Sequence, residues 1–409
     1  MKFDTFFAIC QTEVDGELPN EATMMRHFFE QVRLADELGY ETAWIAETHL
    51  SCEVQKQNPD AVIPHFRGEI GLNTDILQLA HRIFGCTKRI HVGSAIRNIM
   101  CNGGPLAHAE AIKTFMLLHS LTPGEGRLLE IGFAAGRFPF ANSTYGVKAR
   151  TETERVAWSV LKGKVFLEAT EIFLRALTQR QVSSAEITPK VLTAADFRKT
   201  EEWQGVVAAH KLETGVQGDI KSIAFAPFWE FPTVGVIPFE APLDLLRITI
   251  GSHDPAAQVL ANRFWPTRVF NLSITPSATI DATHERMRQC YHPDGGPWLP
   301  WYMPRTALIF LNCDSHLSTA EQSAAAKVAA AKAIANYWRA VEGTFDDRKI
   351  NEAVGNAIAG NADEVASMLR ERYGSDERLM LWFDFNTHNQ QEIRNSMTSF
   401  MRDVAPRLQ

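Results

Sequence analysis

Cysteine is scarce in this 409-residue sequence, and its six residues are scattered with no C-x-x-C pair. This spacing argues against a disulfide framework and against a structural zinc site, so we expect no metal. Free thiols in a reducing cytosol are the simpler interpretation. Neither a G-x-G-x-x-G dinucleotide fingerprint nor a P-loop is present.

Positive charge is not in excess either. The formal net charge is -7, which disfavours nucleic acid or an anionic membrane as the main partner because both require a basic face. No stretch approaches the roughly 20 uninterrupted apolar residues of a membrane-spanning helix. The N-terminus, Met1-Lys2-Phe3-Asp4, enters a strand without the features of a signal peptide, and we expect a cytoplasmic protein.

What the sequence does contain is an alternation of short apolar segments with longer helical ones. The apolar segments mostly do not alternate with polar residues, as expected for parallel strands covered on both faces. Eight strands, most followed by a helix, predict a single-domain (β/α)₈ TIM barrel, with a doubly wound open sheet as the alternative. The predicted strands are 3–9, 42–46, 90–95, 128–132, 246–250, 268–272, 307–312 and 379–384, and the predicted helices are 20–38, 105–119, 151–177, 254–263, 319–341, 362–372 and 390–404.

Two long connections depart from a minimal barrel. Residues 52–71 enlarge the loop after the second strand, and residues 180–243 form a long insertion before the fifth. Loops of this length inside a compact domain are usually binding loops or lids. The insertion is a candidate lid because it carries aromatic residues, although a packed satellite cluster explains them equally well. These residues are Phe225, Phe228, Trp229 and Phe231.

Small residues follow two of the strands. Ala95 ends the third strand, and Ala134 and Gly136 follow the fourth, where a flat ligand could approach the backbone. A third candidate lies after the fifth strand, where Gly251, Ser252, His253 and Asp254 open a helix. Free N–H groups at a helix start bind anions, although Ser and Asp are also ordinary helix caps.

Several motifs, in this order, resemble the bacterial luciferase-like flavin-dependent monooxygenase family. Each motif alone is weak, but their order is specific, and the resemblance runs nearly from end to end. It implies a TIM barrel, a flavin and molecular oxygen. The motifs are residues 1–3, 39–49, 71–73, 92–95, 105–110, 126–136, 251–255, 360–365 and 400–406.

The resemblance implies a two-component reaction. A separate reductase would supply reduced FMN, which reacts with oxygen to a C4a-peroxyflavin that oxygenates a small, apolar organic substrate by hydroxylation or Baeyer–Villiger insertion. It also implies a homodimer. A deazaflavin-dependent oxidoreductase and a non-catalytic flavin-binding relative are the alternatives.

The resemblance also assigns roles to residues. His49 matches a family histidine and is the candidate proton-transfer group, while Thr48 stands where the family has its catalytic histidine and could donate only a hydrogen bond. A purely structural His49 is the alternative. The Ala95–Ile96 peptide is a candidate for a non-proline cis bond against the flavin ring, and Arg97 either holds an anion or caps the rim.

The same resemblance places the flavin phosphate against Gly251–Asp254 and the turn after the fourth strand. A family arginine is missing there at Ala135, and Arg137 is the expected substitute.

Overall fold

The computed structural model describes residues 1–57, 67–136, 138–272, 275–342 and 354–408. In these ranges most of the short apolar segments form the strands of one parallel sheet, whose residues are largely buried. The strands are β1 Lys2–Phe7, β2 Gln11–Thr12, β3 Thr42–Ile45, β4 Gly68–Glu69, β5 His91–Asn98, β6 Leu129–Ala134, β7 Lys190–Thr193, β8 Ser222–Phe225, β9 Leu246–Ile250, β10 Thr267–Val269, β11 Arg305–Leu311, β12 Ile358–Gly360 and β13 Arg378–Trp382. Two short pairs, β2–β4 and β7–β8, are antiparallel.

The main sheet has the strand order β10-β9-β6-β5-β3-β1-β13-β11-β12, and all its ladders are parallel. An isolated parallel bridge between Asn271 and Arg305 joins the end of β10 to β11. Two main-chain hydrogen bonds form it, from Asn271 N to Pro304 O at 3.0 Å and from Thr306 N to Asn271 O at 3.2 Å. The predicted TIM-barrel fold is confirmed, with β12 as an additional strand beside β11.

Helices follow most of the barrel strands and cover the outside of the sheet. Within the described ranges, none of them is long and apolar enough to cross a membrane. The helices are α1 Glu21–Leu38, α2 Ile76–Cys86, α3 Gly104–Ser120, α4 Pro139–Thr144, α5 Glu152–Thr178, α6 Thr200–Thr214, α7 Pro255–Ala261, α8 Ser277–Cys290, α9 Thr319–Glu342, α10 Ala362–Arg372 and α11 Gln390–Ser399.

Local capping explains where these helices begin. The predicted cap of α1 is confirmed, because the Asn20 side chain accepts a hydrogen bond from Thr23 N at 2.9 Å. Helix α2 is absent from the sequence prediction, although its buried residues Ile76, Leu77, Ala80 and Ile83 follow helical spacing. Its cap is Asp75, which accepts from Leu77 N at 3.0 Å.

The insertion, residues 180–243, has secondary structure of its own. It contains the antiparallel hairpin β7–β8 and helix α6. A buried ion pair between Lys190 and Glu168 joins the hairpin to α5. Its aromatic residues are half-buried and pack against the main core, so the insertion lies against the barrel and its role as a lid stays a prediction.

Charged side chains fill the amino-terminal half of the barrel interior. Glu130 accepts from Arg268 at 2.8 Å and from Arg378 at 2.9 Å, and all three side chains are buried. Asp4 accepts from Trp44 Nε1 at 2.7 Å and lies 3.1 Å from Arg378 Nε. Burial opposes ionisation of Glu130, but the two guanidinium groups outweigh it and lower its pKa to about 2. The expected pairing of Glu130 with a buried group is confirmed.

We predict that Glu130→Gln lowers the free energy of unfolding by about 3–5 kcal/mol, because it leaves two buried guanidinium groups without their shared carboxylate. Urea denaturation at pH 7 measures this loss. The matched control is Glu285→Gln, which removes an exposed pair with Arg288 and should change stability by less than about 0.5 kcal/mol. Equal losses in the two variants would contradict a stabilising role for the buried layer.

Candidate active site at the carboxyl ends of the strands

The carboxyl ends of the barrel strands enclose a mouth with an apolar floor. Four buried side chains, Phe6, Trp44, Phe270 and Met380, fill the barrel beneath it. Half-buried residues with mostly small side chains lie above them. These are Ala8, Ala46, Ala95, Ile96 and Trp382.

Two backbone features shape this floor. The Ala95–Ile96 peptide bond is cis, as the resemblance predicts. Gly251 lies so close to Ile96 that a Cβ atom on it would stand 2.2 Å from Ile96 Cδ1, so a larger residue would require the Ile96 side chain to shift. Ala134 borders the same position, at 3.4 Å from such a Cβ. The mouth therefore has a flat apolar shelf that could hold a planar ring.

His49 lies at the edge of the mouth and is held on both sides of its ring. Its Nε2 lies 3.1 Å from Glu47 Oε1, and its Nδ1 lies 3.1 Å from the Asn102 amide nitrogen. The same amide nitrogen also lies 3.3 Å from Nε2. Because a carboxylate only accepts, the hydrogen bond with Glu47 places a proton on Nε2. His49 and Glu47 are both buried, and the carboxylate and the amide together orient the imidazole.

Glu47 connects His49 to the helical layer and to Arg97. Its Oε2 accepts from Ile76 N at 3.1 Å, at the first residue of α2. Arg97 Nη1 lies 3.7 Å from the same oxygen and 3.6 Å from Asp75 Oδ1. One carboxylate thus orients the imidazole, the helix start and the guanidinium together.

Arg97 is buried beneath the rim instead of extending into the mouth. Its Nε donates to His108 Nδ1 at 2.7 Å, and His108 Nε2 lies 2.9 Å from Cys101 O. The imidazole therefore accepts at Nδ1 and donates at Nε2, and it is neutral. Burial, and then the charge of Arg97, lower the pKa of His108 to about 3. Arg97 Nη1 has no hydrogen-bond partner among the described residues, so a role with a cofactor stays a prediction.

Thr48 belongs to the same strand end, but its hydroxyl is engaged by the enlarged loop. Thr48 Oγ1 lies 2.7 Å from Ser51 Oγ and 3.3 Å from Gly71 O. Its main-chain N–H donates to Asn73 O at 3.0 Å. These contacts give Thr48 a structural explanation beside the predicted catalytic one.

The turn after β6 is held by side-chain amides. Asn142 Nδ2 donates to Ala135 O at 2.9 Å and Asn98 Nδ2 donates to Asn142 Oδ1 at 2.6 Å. Gly136 has a φ of 78°, in the left-handed region. Arg137 lies outside the described residues, and its predicted contact with phosphate stays a prediction.

The segment from Gly251 to Asp254 lies at the rim and caps α7, with Gly251 and Ser252 half-buried and His253 and Asp254 exposed. Asp254 Oδ1 accepts from Ala256 N at 2.9 Å, and Ser252 Oγ accepts from Asp254 N at 3.2 Å. His253 Nε2 lies 3.3 Å from Thr275 Oγ1. The prediction that these residues cap a helix is therefore confirmed. Asp254 also places a carboxylate where the phosphate is predicted to bind.

Two residues of the mouth were missed from the sequence. Asn102 contacts His49 from a loop 53 positions away, which only the folded chain reveals. Asp384 follows β13, next to Cys10, and burial raises its pKa to about 7. An acidic residue directly after an apolar strand was the available signal for Asp384. Within the described ranges, no group of three or more His, Cys, Asp or Glu side chains could hold a metal ion.

The structure therefore places the predicted site residues in different surroundings. His49 and Arg97 meet through Glu47, and Ala95, Ile96, Ala134 and Gly251 form the shelf. Ser252, His253 and Asp254 lie at the exposed rim, and Thr48 faces the loop after β3. An oriented imidazole beside a flat apolar shelf can transfer a proton to or from a planar ligand.

The family model for luciferase-like monooxygenases matches residues 1–202. These residues belong to the luciferase-like monooxygenase family. The match covers the strand ends that carry His49, Arg97 and the cis peptide, so the recognition made from the sequence motifs is confirmed. An uncharacterised protein of Bacillus subtilis (strain 168), YwcH, is 29% identical over 130 residues, which are 31% of this chain and 32% of that protein.

Solved structures of luciferase-like and related proteins share the fold over nearly the whole chain. The monooxygenase RslO1 from Streptomyces bottropensis has a TM-score of 0.64 at 17% identity, over 99% of both chains. The oxygenating constituent of 3,6-diketocamphane monooxygenase from Pseudomonas putida, in complex with FMN, has 0.55 at 12% identity over 99% of both chains. An F420-dependent secondary alcohol dehydrogenase has 0.52 at 12% identity over 100% of both chains. At these identities the likeness shows the fold.

The neutral His108 generates a prediction about pH. Its folded-state pKa of about 3 lies below the ordinary 6.5, so the unfolded chain binds one more proton between these values and wild-type stability falls as pH decreases through that window. We expect His108→Gln to flatten this fall by up to about 1.4 kcal/mol per pH unit.

Urea titrations at pH 7, 6, 5 and 4.5 measure the slope for each variant. The control His316→Gln changes an exposed imidazole and should keep the wild-type slope. An unchanged slope in His108→Gln would show that His108 is not the group whose protonation opposes folding.

Proposed function

We propose that this luciferase-like chain is the oxygenating component of a two-component, FMN-dependent monooxygenase. It would bind reduced FMN from a separate reductase and use molecular oxygen to oxygenate a small, apolar organic substrate. The observation that most supports this function is the buried pair of His49 and Glu47 at the same strand ends that carry the apolar shelf formed by Ala95, Ile96 and Gly251.

The shelf suits an isoalloxazine ring because its residues leave room for a flat group. Ala8, Ala46 and Ala95 carry only methyl groups, and Trp382 supplies an aromatic wall. The reduced flavin would supply the electrons for the reaction with oxygen. The protein would contribute orientation of the ring and exclusion of water, since the residues beneath the shelf are apolar and buried.

His49 would move the proton that the oxygen chemistry requires. The amide nitrogen of the half-buried Asn102 lies 3.1 Å from Nδ1 and 3.3 Å from Nε2, while Nε2 donates to the buried Glu47. A ligand hydroxyl that displaced the Asn102 amide would reach Nδ1, and Glu47 would stabilise the positive charge that protonation creates. Thr48 would support this arrangement through its loop contacts.

The proposed partners follow from the chemistry. A reductase is required as the electron source because the sequence has no nicotinamide fingerprint. A homodimer is consistent with two exposed leucines at the end of α3, Leu118 and Leu121, which are 50% and 69% exposed. We place the protein in the cytosol because its six cysteines are free thiols.

A deazaflavin-dependent oxidoreductase is the second candidate. The barrel of the F420-dependent secondary alcohol dehydrogenase superposes over the full length of this chain. Such an enzyme transfers hydride and does not need oxygen, so the two candidates differ in one measurable reactant.

The deciding experiment is an anaerobic titration of the protein with reduced FMN and, separately, with reduced F420, followed by admission of oxygen. We expect saturable binding of reduced FMN and oxygen consumption that differs from free reduced FMN. Binding of F420 alone would favour the hydride-transfer enzyme. Flavin binding without an altered oxygen reaction, across a broad substrate panel, would favour a non-catalytic relative.

We predict that His49→Asn retains reduced-FMN affinity within about threefold but lowers the rate of substrate oxygenation by about 10²–10⁴, the range for loss of a general acid or base. Asparagine keeps a polar group of similar reach but cannot transfer a proton at neutral pH. Stopped-flow absorbance and product analysis measure the two properties. A full rate in His49→Asn would restrict His49 to a structural role, and the exposed His316→Asn is the control.

The phosphate assignment is tested by comparing FMN with riboflavin. We expect Ser252→Ala to weaken FMN binding by about tenfold through loss of a hydrogen bond to a charged group, and to leave riboflavin binding unchanged. Asp254→Asn should strengthen FMN binding by about threefold, because it removes a negative charge beside the phosphate and keeps a capping side chain. Equal effects on both ligands would place the phosphate away from this rim.

A further inference from the structure

A polar spot lies in the otherwise apolar mouth, at the carboxyl end of β13. Trp382 is the last residue of this strand, and Asp384 follows two positions later. Side chains two positions apart on a strand point to the same face. Arg378 lies in the charged layer inside the barrel and Met380 fills the apolar floor. The same row of inward-facing side chains therefore continues through Trp382 and leads to Asp384 at the mouth.

Both side chains carry a buried polar atom that has no hydrogen-bond partner in the described ranges. These atoms are Trp382 Nε1 and Asp384 Oδ1. Burial raises the pKa of Asp384 to about 7, although the nearby N–H groups of the Trp382 indole and of the Ala8 main chain favour its ionised form. Neither N–H meets the geometry of a hydrogen bond to Oδ1. Native proteins rarely leave such buried atoms unpaired, so the pair calls for a partner from outside the chain.

The polar neighbours of the carboxyl are engaged elsewhere. Cys10 and His388 line the same small cavity as Asp384. The Cys10 thiol donates to Thr12 Oγ1 at 3.8 Å, and His388 Nε2 lies 2.5 Å from Thr12 O. Cys10 also packs against Phe138, from the loop after β6. The surroundings of the carboxyl are therefore either apolar or already paired.

The two unpartnered atoms differ in what they can bind. An indole N–H only donates, whereas an ionised carboxylate only accepts. A hydroxyl group accepts at its oxygen and donates through its proton, so a single hydroxyl can satisfy both atoms. An ether or ketone oxygen can satisfy only the indole, and an ammonium ion can satisfy only the carboxylate.

We propose that Trp382 and Asp384 form a hydroxyl subsite in the mouth, which binds one alcohol group of an otherwise apolar substrate. The indole N–H donates to the hydroxyl oxygen, and the carboxylate accepts a hydrogen bond from the hydroxyl. This inference rests on the proposed function, since it takes the mouth to hold an organic substrate, and it narrows that substrate to a molecule with an alcohol group.

The test compares alcohols with their methyl ethers, which accept a hydrogen bond but cannot donate one. The probes are cyclohexanol and n-octanol, each paired with its methyl ether, and calorimetric titration measures their binding to the cofactor-free protein above the pKa of Asp384. We expect at least one alcohol to bind about tenfold more tightly than its ether, because only the alcohol donates to the buried carboxylate. Lack of this preference in both pairs, including lack of binding by all four probes, would overturn the inference.

Two variants separate the roles of the side chains. In Asp384→Leu we expect the preference for the alcohol over its ether to disappear, because the acceptor is gone. In Trp382→Phe we expect both probes to bind about fivefold more weakly and the preference to remain, because the alcohol and the ether each lose the bond from the indole. Equal weakening of alcohol and ether in Asp384→Leu would overturn the assignment.

The matched controls lie outside the mouth. Asp219→Leu removes an exposed carboxylate, and Trp203→Phe removes an indole N–H on α6. We expect wild-type affinities for all four probes in both controls. An equal loss of the alcohol preference in Asp219→Leu would show that the preference does not arise at Asp384, and it would also overturn the inference.

A measurement on the wild type does not depend on the folding of Asp384→Leu. The Nε1–H resonance of Trp382, assigned by its loss in Trp382→Phe, should move downfield when the alcohol binds. An unchanged resonance would place the alcohol elsewhere, and weaker binding of reduced FMN in Asp384→Leu with an unchanged alcohol preference would assign the pair to the flavin. Either result would overturn the subsite. Failure of the proposed function appears separately, as absence of reduced-FMN binding in the wild type, and leaves the alcohol preference intact.

Discussion

The arrangement of the mouth depends on the buried carboxylate of Glu47. Its Oε1 accepts a hydrogen bond from His49 Nε2, and its Oε2 accepts from the first N–H of α2. The Arg97 guanidinium lies close to Oε2. A buried carboxylate is costly unless donors surround it, and here three groups meet that need. The contacts that satisfy the buried Glu47 carboxylate are therefore the same ones that orient the imidazole.

The two halves of the barrel interior have different chemistry. The amino-terminal half holds Glu130 and Asp4 against Arg268 and Arg378 in a buried polar layer, where burial raises the pKa of Asp4 to about 7. The carboxyl-terminal half is an apolar floor of small side chains around the cis peptide. The polar layer makes the amino-terminal end rigid. The apolar surface at the carboxyl-terminal end is left open, and this combination suits the binding of a planar ligand.

Much of this was accessible from the sequence, for physical reasons that differ between residues. The barrel was predictable because parallel strands are covered on both faces and read as short apolar runs. His49 and the cis peptide at Ala95 were both predicted because a family resemblance pointed to them. Helix α2 was missed although Ile76, Leu77 and Ile83 have helical spacing.

Other features could not be read from a linear pattern. Asn102 reaches His49 across 53 positions, and Trp229 reaches Gly104 across an even longer stretch. Arg97 resembled a rim anion site, yet His108 and two carboxylates surround it below the surface. Such pairings arise from the closing of the barrel, and neither spacing nor composition records them.

The charged layer also closes the amino-terminal end of the barrel. Trp301 lies under it, with the cationic groups of Lys2, Arg268 and Arg378 at 4.4, 5.3 and 5.8 Å from its ring centroids. These contacts close the amino-terminal end of the barrel with packed side chains. Under the proposed function, the flavin and the organic substrate would therefore both enter and leave from the carboxyl ends of the strands, and the more deeply bound of the two would have to enter first.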